Sequence, residues 1–389
     1  MQPVLLNWGI NNVSGWGIVG LNLLLHWAND SDLHPLMGAG ITPNEVAGLD
    51  PLKLIACRDA ILRSNQFQAE LQRAKTGSHT LPMKIVEGLG NGLYFEGGLK
   101  GTRTVGRCIF EDTRLEGLDR KLAKYDLLLT ASHWNADLLK AHCRKPVAIV
   151  FEGTDPSQFH PAPKSGVLDP SRFYIFSGGK VEFRKGHDLT LLAFREFSRR
   201  HDDAVLVTVW HSPWPQLSLG FQGKLGAPLG QTGEGTIDVK NWVAKNGINP
   251  AKVIEIGPVP NAMMPGLLRE MDCALAPSRA EACTNLLAKE AMACSVPVIL
   301  APNTGVKDLY AGDNALVLTR QSPVRDYPHA GTEGWGESDV DEIVEALEQL
   351  YSDSALRKKI GAAGADWIVR EDRTWSNHAR ALKSLLLSL

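Results

Sequence analysis

One strand–loop–helix–strand segment, residues 273–302, constrains the fold of this chain more than any other part of the sequence. Apolar runs over residues 273–276 and 296–300 predict two buried strands, separated by a polar loop and an apolar-rich helix that carries Glu290. Because such a connection joins parallel strands, a ligand is expected at the carboxyl end of the first strand, next to the free amides of the helix start. The segment therefore predicts an anion site flanked by two carboxylates, Glu281 and Glu290, that can bind hydroxyl groups.

Strand and helix patterns alternate in both halves of the chain. Apolar runs predict further strands at residues 4–6, 105–110, 125–130, 146–151, 173–176, 204–210 and 253–256. A turn-rich stretch separates the halves, and a chain of 389 residues is too long for one ordinary core. We therefore predict an α/β protein with two doubly wound, Rossmann-like domains that face a cleft, residues 1–160 and 161–370. Residues 35–100 show no clear pattern.

Composition excludes several classes of protein. Hydrophobic residues make up 44% and charged residues 22%, as in soluble globular proteins, and the net charge of −2 argues against nucleic acid as a partner. The six cysteines show no metal-finger spacing and are interpreted as reduced thiols, and no metal site is predicted. Since the sequence shows neither a signal peptide nor a transmembrane segment, a cytoplasmic protein is expected, with peripheral membrane contact left open.

A glycine-rich loop follows the first predicted strand. Gly15, Gly17 and Gly20 match the pattern Gly-x-Gly-x-x-Gly of dinucleotide-binding loops. The context is poor, because residues 7–13 separate the loop from the strand and no acidic residue follows at the expected distance. The loop is interpreted as a flexible turn or as backbone that approaches a phosphate or a sugar, and an NAD site is the weaker alternative. Trp16 within it is a candidate sugar platform.

Three cations cluster between a strand and a helix in the second half. Lys180, Arg184 and Lys185 lie within a glycine-containing loop, which favours a grip on pyrophosphate over a solvated charged loop. Glu281 and Glu290 alone would also suit the acid–base pair of a glycoside hydrolase, but a leaving nucleoside diphosphate explains the cations better. Motifs for serine hydrolases, P-loops and zinc proteases are absent from the sequence.

These motifs resemble those of the retaining, metal-independent glycosyltransferases of family 4 (glycosyl transferases group 1), which have the two-domain GT-B fold. Gly179–Lys180 with Lys185–Gly186 resembles the family's Gly-Arg…Lys-Gly pair, with Lys180 in place of the usual arginine. Residues 277–299 resemble the family's glutamate motif. Further similarity lies in the strand and loop over residues 253–259, in the end of the first domain at residues 132–161, and in the closing helix that begins at Thr374–Trp375.

The resemblance implies a donor site made by both domains. Lys180 and Lys185 would neutralise the diphosphate, Glu290 would hold the ribose, and Val259 would abut the nucleobase. Donor-sugar contacts would come from Glu281 and from the backbone of Thr284, Asn285 and Leu286. Gly15 and Gly17 would approach the diphosphate from the first domain, and residues 371–389 would pack back on that domain.

Two departures from the family pattern bear on catalysis. Eight residues, 282–289, separate the two glutamates where seven are usual, so the loop around Asn285 is expected to differ. After the strand predicted at residues 105–110, Glu111 stands where many members carry a histidine beside the reacting sugar. Glu111, Lys185 and Glu281 are therefore the predicted catalytic residues, with His79 and His133 as outside candidates.

The predicted function is transfer of a sugar from a nucleoside-diphosphate sugar to a hydroxyl group of a glycan, a lipid or a small molecule, without a cofactor or a metal ion. Three alternatives remain open at this point. They are an NAD-dependent oxidoreductase that uses the Gly15 loop, a nucleotide-sugar-binding protein without transfer activity, and a nucleoside-diphosphate-sugar epimerase.

Overall fold

Two six-stranded parallel sheets, one in each half of the chain, organise the structure. The structure is a computed structural model and describes residues 2–73, 79–95, 98–325 and 327–389. Helices connect most of the successive parallel strands of each sheet, although among the described residues only a short strand, Leu99–Lys100, lies between the strands Lys84–Leu89 and Arg103–Cys108. The predicted fold class, two doubly wound α/β domains, is confirmed.

The first sheet lies in the N-terminal half. In chain order, the strands of this half are β1 (Gln2–Asn7), β2 (Leu33–Met37), β3 (His79–Thr80), β4 (Lys84–Leu89), β5 (Leu99–Lys100), β6 (Arg103–Cys108), β7 (Leu127–Thr130) and β8 (Val147–Ile149). The sheet has the order β2-β1-β4-β6-β7-β8, and β3 pairs separately with β5. Its helices are α1 (Gly15–Trp27), α2 (Pro51–Arg73), α3 (Leu118–Lys121) and α4 (His133–His142).

The second sheet follows the same plan. Its half of the chain contains β9 (Phe173–Lys180), β10 (Ala204–His211), β11 (Val253–Glu255), β12 (Cys273–Ala276), β13 (Val298–Leu300), β14 (Leu316–Val317), β15 (Gln321–Pro323) and β16 (Gly336–Ser338). The order is β11-β10-β9-β12-β13-β14, and β15 and β16 form a separate antiparallel pair. The helices are α5 (His187–Ser198), α6 (Pro215–Ser218), α7 (Val239–Lys245), α8 (Met264–Arg269), α9 (Leu286–Ala293), α10 (Val340–Ser352), α11 (Ser354–Arg370) and α12 (Trp375–Ser388).

The central strands are apolar because helices cover both faces of a parallel sheet. All four residues of β7 are buried, as are the first seven of the eight in β10. Strand β9 is longer than predicted, since Gly178 and Gly179 keep the pairing with β10 and place Lys180 at the end of the strand. The loop that carries Lys180, Arg184 and Lys185, which we call the cation loop, therefore begins directly at the carboxyl edge of the second sheet.

The chain crosses from one domain to the other twice, and the two crossing segments lie side by side. Thr154, after β8, pairs with Thr374, just before α12. Gly153 is needed there, because a Cβ atom at this position would lie 2.0 Å from the carbonyl carbon of Thr374. Beyond the crossing, α12 packs against α1 in the core of the first half, and Trp27 donates a hydrogen bond to the carbonyl oxygen of Ala379 at 3.3 Å. The predicted boundaries at residues 160 and 370 stay a prediction.

Residues 35–100, unreadable in sequence, contain the 23-residue helix α2 and the central strand β4. In the part of the chain that the structure describes, no helix combines the length and the apolar character needed to cross a bilayer.

Candidate functional site

A cavity of about 490 Å³ lies between the two domains, at the carboxyl ends of their strands. Its wall combines the glycine loop and the end of β6 with the cation loop, the end of β10 and the start of α9. The structure brings most of the predicted site residues together in this wall, namely Gly15, Glu111, Lys180, Lys185, Val259, Glu281, Asn285, Leu286 and Glu290. Gly17 and Thr284 do not line the cavity.

Arg184 lies at the centre of an ion-pair cluster that joins the two domains. Its Nη1 lies 3.2 Å from Oε1 of Glu111 and 2.9 Å from Oε2 of Glu281, and its Nε lies 2.7 Å from Oε2 of Glu182. The pair with Glu111 crosses the cleft, since Glu111 follows β6 of the first sheet. Sequence analysis counted Arg184 among the cations that would bind pyrophosphate but did not predict its pairs with carboxylates, because spacing alone does not show which cation faces them.

Lys185 and Lys180 complete the positive side of the cavity. The loop is tight, because residues 183–185 form one turn of 3-10 helix that ends at Gly186 with φ 69°. Lys185 Nζ lies 2.8 Å from Glu281, and Lys180 Nζ lies 2.7 Å from Glu182 and 5.4 Å from the ring centre of Trp214. Three cations thus line the cavity directly before α5, and each of them is paired with a carboxylate.

Glu281 is buried with both oxygens occupied. Oε1 accepts hydrogen bonds from Lys185, Ser278 and Asn285 at 2.7–2.9 Å, and Oε2 accepts from Arg184 and Lys185. Burial would raise the pKa of this carboxyl group, but Lys185 and Arg184 outweigh burial, and the pKa is lowered. The glutamate is therefore ionised and, in this structure, holds the two cations in place.

Glu290 is the least satisfied carboxyl group of the site. Asn261 donates a 2.6 Å hydrogen bond to Oε1, and Oε2 has no partner among the residues that the structure describes. Burial raises the pKa of Glu290 to about 8. An unpartnered buried oxygen in a cavity wall is costly, and a ligand hydroxyl group that donates to it would remove this cost.

Asn285 shapes the loop before Glu290. It has φ 55°, an uncommon value for a residue other than glycine, and its side-chain oxygen accepts a hydrogen bond from the amide of Ala288 as the N-cap of α9. Its side-chain amide also donates to Glu281 at 2.9 Å. Asn285 thus caps the start of α9, and Leu286 and Leu287 line the cavity there.

The glycine loop forms the opposite wall. Gly15 lies at the exposed first turn of α1, where a Cβ atom would meet nothing within 4 Å. The amide of Gly17 donates to the N-cap residue Ser14, and a Cβ atom at Gly17 would lie 2.3 Å from the side chain of Asn11. Gly17 therefore permits close packing inside the loop, whereas Gly15 leaves room for a ligand.

A buried ion pair under the glycine loop was missed by sequence reasoning. Arg107, at the end of β6, lies 2.5 Å from Glu152 and 4.8 Å from the ring centre of Trp16. All three residues line the cavity. Burial would raise the pKa of Glu152, but Arg107 and Lys289 keep it lowered. The available signal was a charged residue inside the apolar run predicted at residues 105–110.

Neither candidate histidine is placed in the cavity wall. His133 is exposed and lies 2.7 Å from Asp308, and it does not line the cavity. The side chain of His79 lies outside the described part of the structure. Within the described ranges, no three histidine, cysteine, aspartate or glutamate side chains are grouped to hold a metal ion.

Comparison with protein families matches residues 160–367, just over half of the chain, to the family "Glycosyl transferases group 1". The chain belongs to this family. The prediction of a glycosyltransferase enzyme is thereby confirmed, while family 4 membership and the stereochemistry of transfer are not decided by the match. No curated protein sequence matches this glycosyltransferase.

Solved structures match the glycosyltransferase over its whole length. A sucrose-phosphate synthase from Thermosynechococcus elongatus has 15% identity and a TM-score of 0.66. The match covers 100% of this chain and 99% of the synthase chain. A trehalose-6-phosphate synthase, solved to study glycosyltransfer with retention, has 14% identity, a TM-score of 0.61 and the same coverage. HepE from Anabaena, solved with UDP, has 12% identity and a TM-score of 0.57, covering 100% of both chains. At these identities the likeness concerns the fold, and it confirms the predicted GT-B arrangement.

Proposed function

We propose that this group 1 glycosyltransferase is a retaining enzyme of family 4 that transfers a sugar from a nucleoside-diphosphate sugar to a hydroxyl group of a glycan, a lipid or a small molecule. One observation carries the proposal. A single interdomain cavity has three cations, Lys180, Arg184 and Lys185, and a buried carboxyl group with an unpartnered oxygen, Glu290. Diphosphate and ribose are the two parts of a nucleotide that need these groups.

The cations act on the leaving group. As the bond to the sugar breaks, negative charge grows on the diphosphate, and Lys180 and Lys185 would stabilise it from fixed positions. The ion pairs with Glu182 and Glu281 hold both ammonium groups before the donor binds. Because the chain supplies this positive charge itself, we propose that transfer needs no divalent metal ion.

Glu290 and the start of α9 would bind the rest of the donor. Oε2 of Glu290 would accept a hydrogen bond from the ribose, and Val259 lines the side of the cavity where the nucleobase would lie. We assign the donor sugar to the helix start, where Asn285 and Leu286 line the wall beside Glu281. Gly15 would allow the first domain to approach the diphosphate.

Glu111 and Glu281 are the proposed acidic groups at the reacting sugar. A retaining transfer develops positive charge on the sugar ring, and ionised carboxylates nearby would stabilise that charge. The contact between Arg184 and Glu111 brings Glu111 to the cation loop across the cleft. The report of retention for the structurally similar trehalose-6-phosphate synthase supports the retaining assignment. Since the family is one of transferases, the oxidoreductase alternative has no further support.

The donor is identified first by binding and turnover. Purified protein is screened with UDP-, GDP- and ADP-sugars for a rise in melting temperature and for slow donor hydrolysis, with and without EDTA. We expect one nucleotide class to bind and its sugar to be released with EDTA present. Lys185→Ala should abolish both effects, whereas Lys358→Ala, at an exposed lysine of α11, should not.

Acceptors are then screened with the donor so found. NMR of the glycosylated product should show the anomeric configuration of the donor. An inverted product would rule out the retaining assignment. If no nucleotide sugar binds or is consumed, the proposed function is wrong.

A further inference from the structure

A segment of the second domain reaches across the cleft and binds the loop that carries Glu111. The segment, residues 327–335, lies in the connection between the antiparallel strands β15 and β16, and we call it the clasp. It contacts the first domain at residues 111–114, directly after β6. No motif in the sequence pointed to this contact.

The clasp bonds each residue of the 111–114 loop. The amide of Gly331 donates to Oδ1 of Asp112 at 2.7 Å, and the amide of Thr113 donates back to the carbonyl oxygen of Gly331 at 3.2 Å. The indole of Trp335 donates to the carbonyl oxygen of Glu111 at 3.0 Å. Two further bonds join Glu333 to Thr113 and Arg114 to His329.

The contact is closely fitted. A Cβ atom at Gly331 would lie 2.6 Å from Oγ1 of Thr113 and 2.8 Å from the amide nitrogen of Arg114. Trp335 is buried, with 4% of its surface exposed, although it belongs to a connection between two short strands. A segment that only covered a surface would need neither the space at Gly331 nor the burial of Trp335. We therefore infer that the clasp fixes the position of the backbone at Glu111.

The other side of the clasp is attached to the cation loop. Tyr327 stacks on Phe183 with ring centres 4.5 Å apart and an angle of 14° between the planes. Phe183 directly precedes Arg184, and its ring also contacts the guanidinium of Arg279 at 4.1 Å. The amide of Gly336, next to Trp335, donates to the carbonyl oxygen of Arg279 at 3.0 Å. The clasp thus bonds to Glu111 and contacts the cation loop at Phe183, the residue before Arg184.

We propose that the clasp holds the cleft closed at this edge and that Trp335 is a positioning residue for Glu111. The role of Glu111 at the reacting sugar belongs to the proposed function, and this part of the inference rests on it. Trp335 does not line the cavity. It fixes the carbonyl oxygen of Glu111, and with it the direction from which the carboxylate meets Arg184 and the donor sugar.

The positioning role is tested with Trp335→Phe, which keeps an aromatic ring and removes the indole donor. We expect kcat for donor hydrolysis or transfer to fall about tenfold, with KM for the donor and nucleotide affinity unchanged. The matched control is Trp242→Phe, which removes a similar 3.0 Å bond, to the carbonyl oxygen of Ala227, inside the second domain. The control should leave kcat unchanged.

A double-mutant cycle separates positioning from general support. If Trp335 acts through Glu111, then Trp335→Phe should cause no further loss in a Glu111→Ala background. Equal losses in both backgrounds would overturn the positioning role. A rise in KM with kcat preserved would also overturn it.

The closing role has a test that needs no activity. Gly331→Val places a side chain against Thr113, and we expect the variant to show a larger radius of gyration by small-angle X-ray scattering without ligand. Gly233→Val, where a Cβ atom meets nothing within 4 Å, is the control. Trp335→Phe is measured beside them in case Gly331→Val does not fold. Unchanged scattering in every folded variant would disprove the closing role, even if no donor is ever found.

Discussion

Asn261 donates a 2.6 Å hydrogen bond to Oε1 of Glu290, and this bond orients a buried carboxyl group whose other oxygen points to no partner among the described residues. Because the carboxyl group is buried, its pKa is raised to about 8, and Glu290 keeps its proton up to about that pH. A ribose hydroxyl that donates to Oε2 would favour the ionised form, so the pKa should fall when a nucleotide binds.

Donor binding should therefore release a proton. Between the lowered pKa of the complex and pH 8, the affinity for the nucleotide sugar should rise with pH, by up to about tenfold per pH unit, and it should level off above pH 8. Isothermal titration calorimetry in buffers with different ionisation enthalpies measures the proton release directly. In Glu290→Gln the affinity should be lower and independent of pH, and a wild-type affinity that falls as pH rises would contradict the assignment.

Lys289→Met should stabilise the protein at neutral pH. The ammonium group is fully buried and lacks a hydrogen-bond partner among the described residues, and burial lowers its pKa to about 8. Between pH 8 and the unfolded value near 10.5 the unfolded chain holds the extra proton, so wild-type stability should rise with pH through this window.

The gain from Lys289→Met should accordingly be largest below pH 8, about 1–3 kcal/mol, and should shrink at higher pH. Guanidinium unfolding at pH 7 and pH 10 measures it, with Lys358→Met as the exposed control. A gain that grows with pH would show that the lysine is not the destabilising charge.

Arg184→Met should weaken the fold as well as the site. Removing the guanidinium leaves Glu111, Glu182 and Glu281 close together without their shared partner, at a cost of about 3 kcal/mol. Chemical unfolding measures the loss. Arg199→Met, which breaks an exposed 3.0 Å pair with Glu196, should cost less than about 1 kcal/mol, and equal losses in the two variants would contradict the prediction.

Gly153→Ala should disturb the crossing between the domains. The new methyl group would lie 2.0 Å from the backbone of Thr374, and the crossing strands must separate, which we expect to cost about 2 kcal/mol or more. The melting temperature measures the effect. Gly230→Ala, with nothing within 4 Å of the added carbon, is the control and should melt within a degree or two of wild type.

The alternation of strands and helices could be predicted from sequence because both faces of a parallel sheet are buried. Helix α2 could not, because its inward side carries Cys57, Ala60 and Ser64 while Leu52 and Ile55 are exposed. Small residues allow the helix to lie close to the sheet, and the apolar pattern then points outward instead of inward. For Leu52 and Ile55, therefore, apolar character does not indicate the buried side of the helix.

The residues of the second half that line the cavity could be predicted because they follow strand ends at spacings that resemble the family motifs. Contacts between distant parts of the chain were not. Arg107 with Glu152, Arg184 with Glu111, and the clasp on residues 111–114 each join segments far apart in sequence. Spacing within one motif carries no information about such pairs. The structure supplies them, and the roles of the site residues stay predictions until a donor is bound.

The return of α12 to the first domain has a consequence for how the protein is made. Trp375, Leu382 and Leu386 belong to the same core as β1 and α1, so this core is incomplete until α12 has been synthesised. The core of the C-terminal domain extends only to Trp367 and Ile368 of α11, so all of its residues are synthesised before α12. We therefore expect the order of folding during translation to be the reverse of the usual one, in which the N-terminal domain folds first.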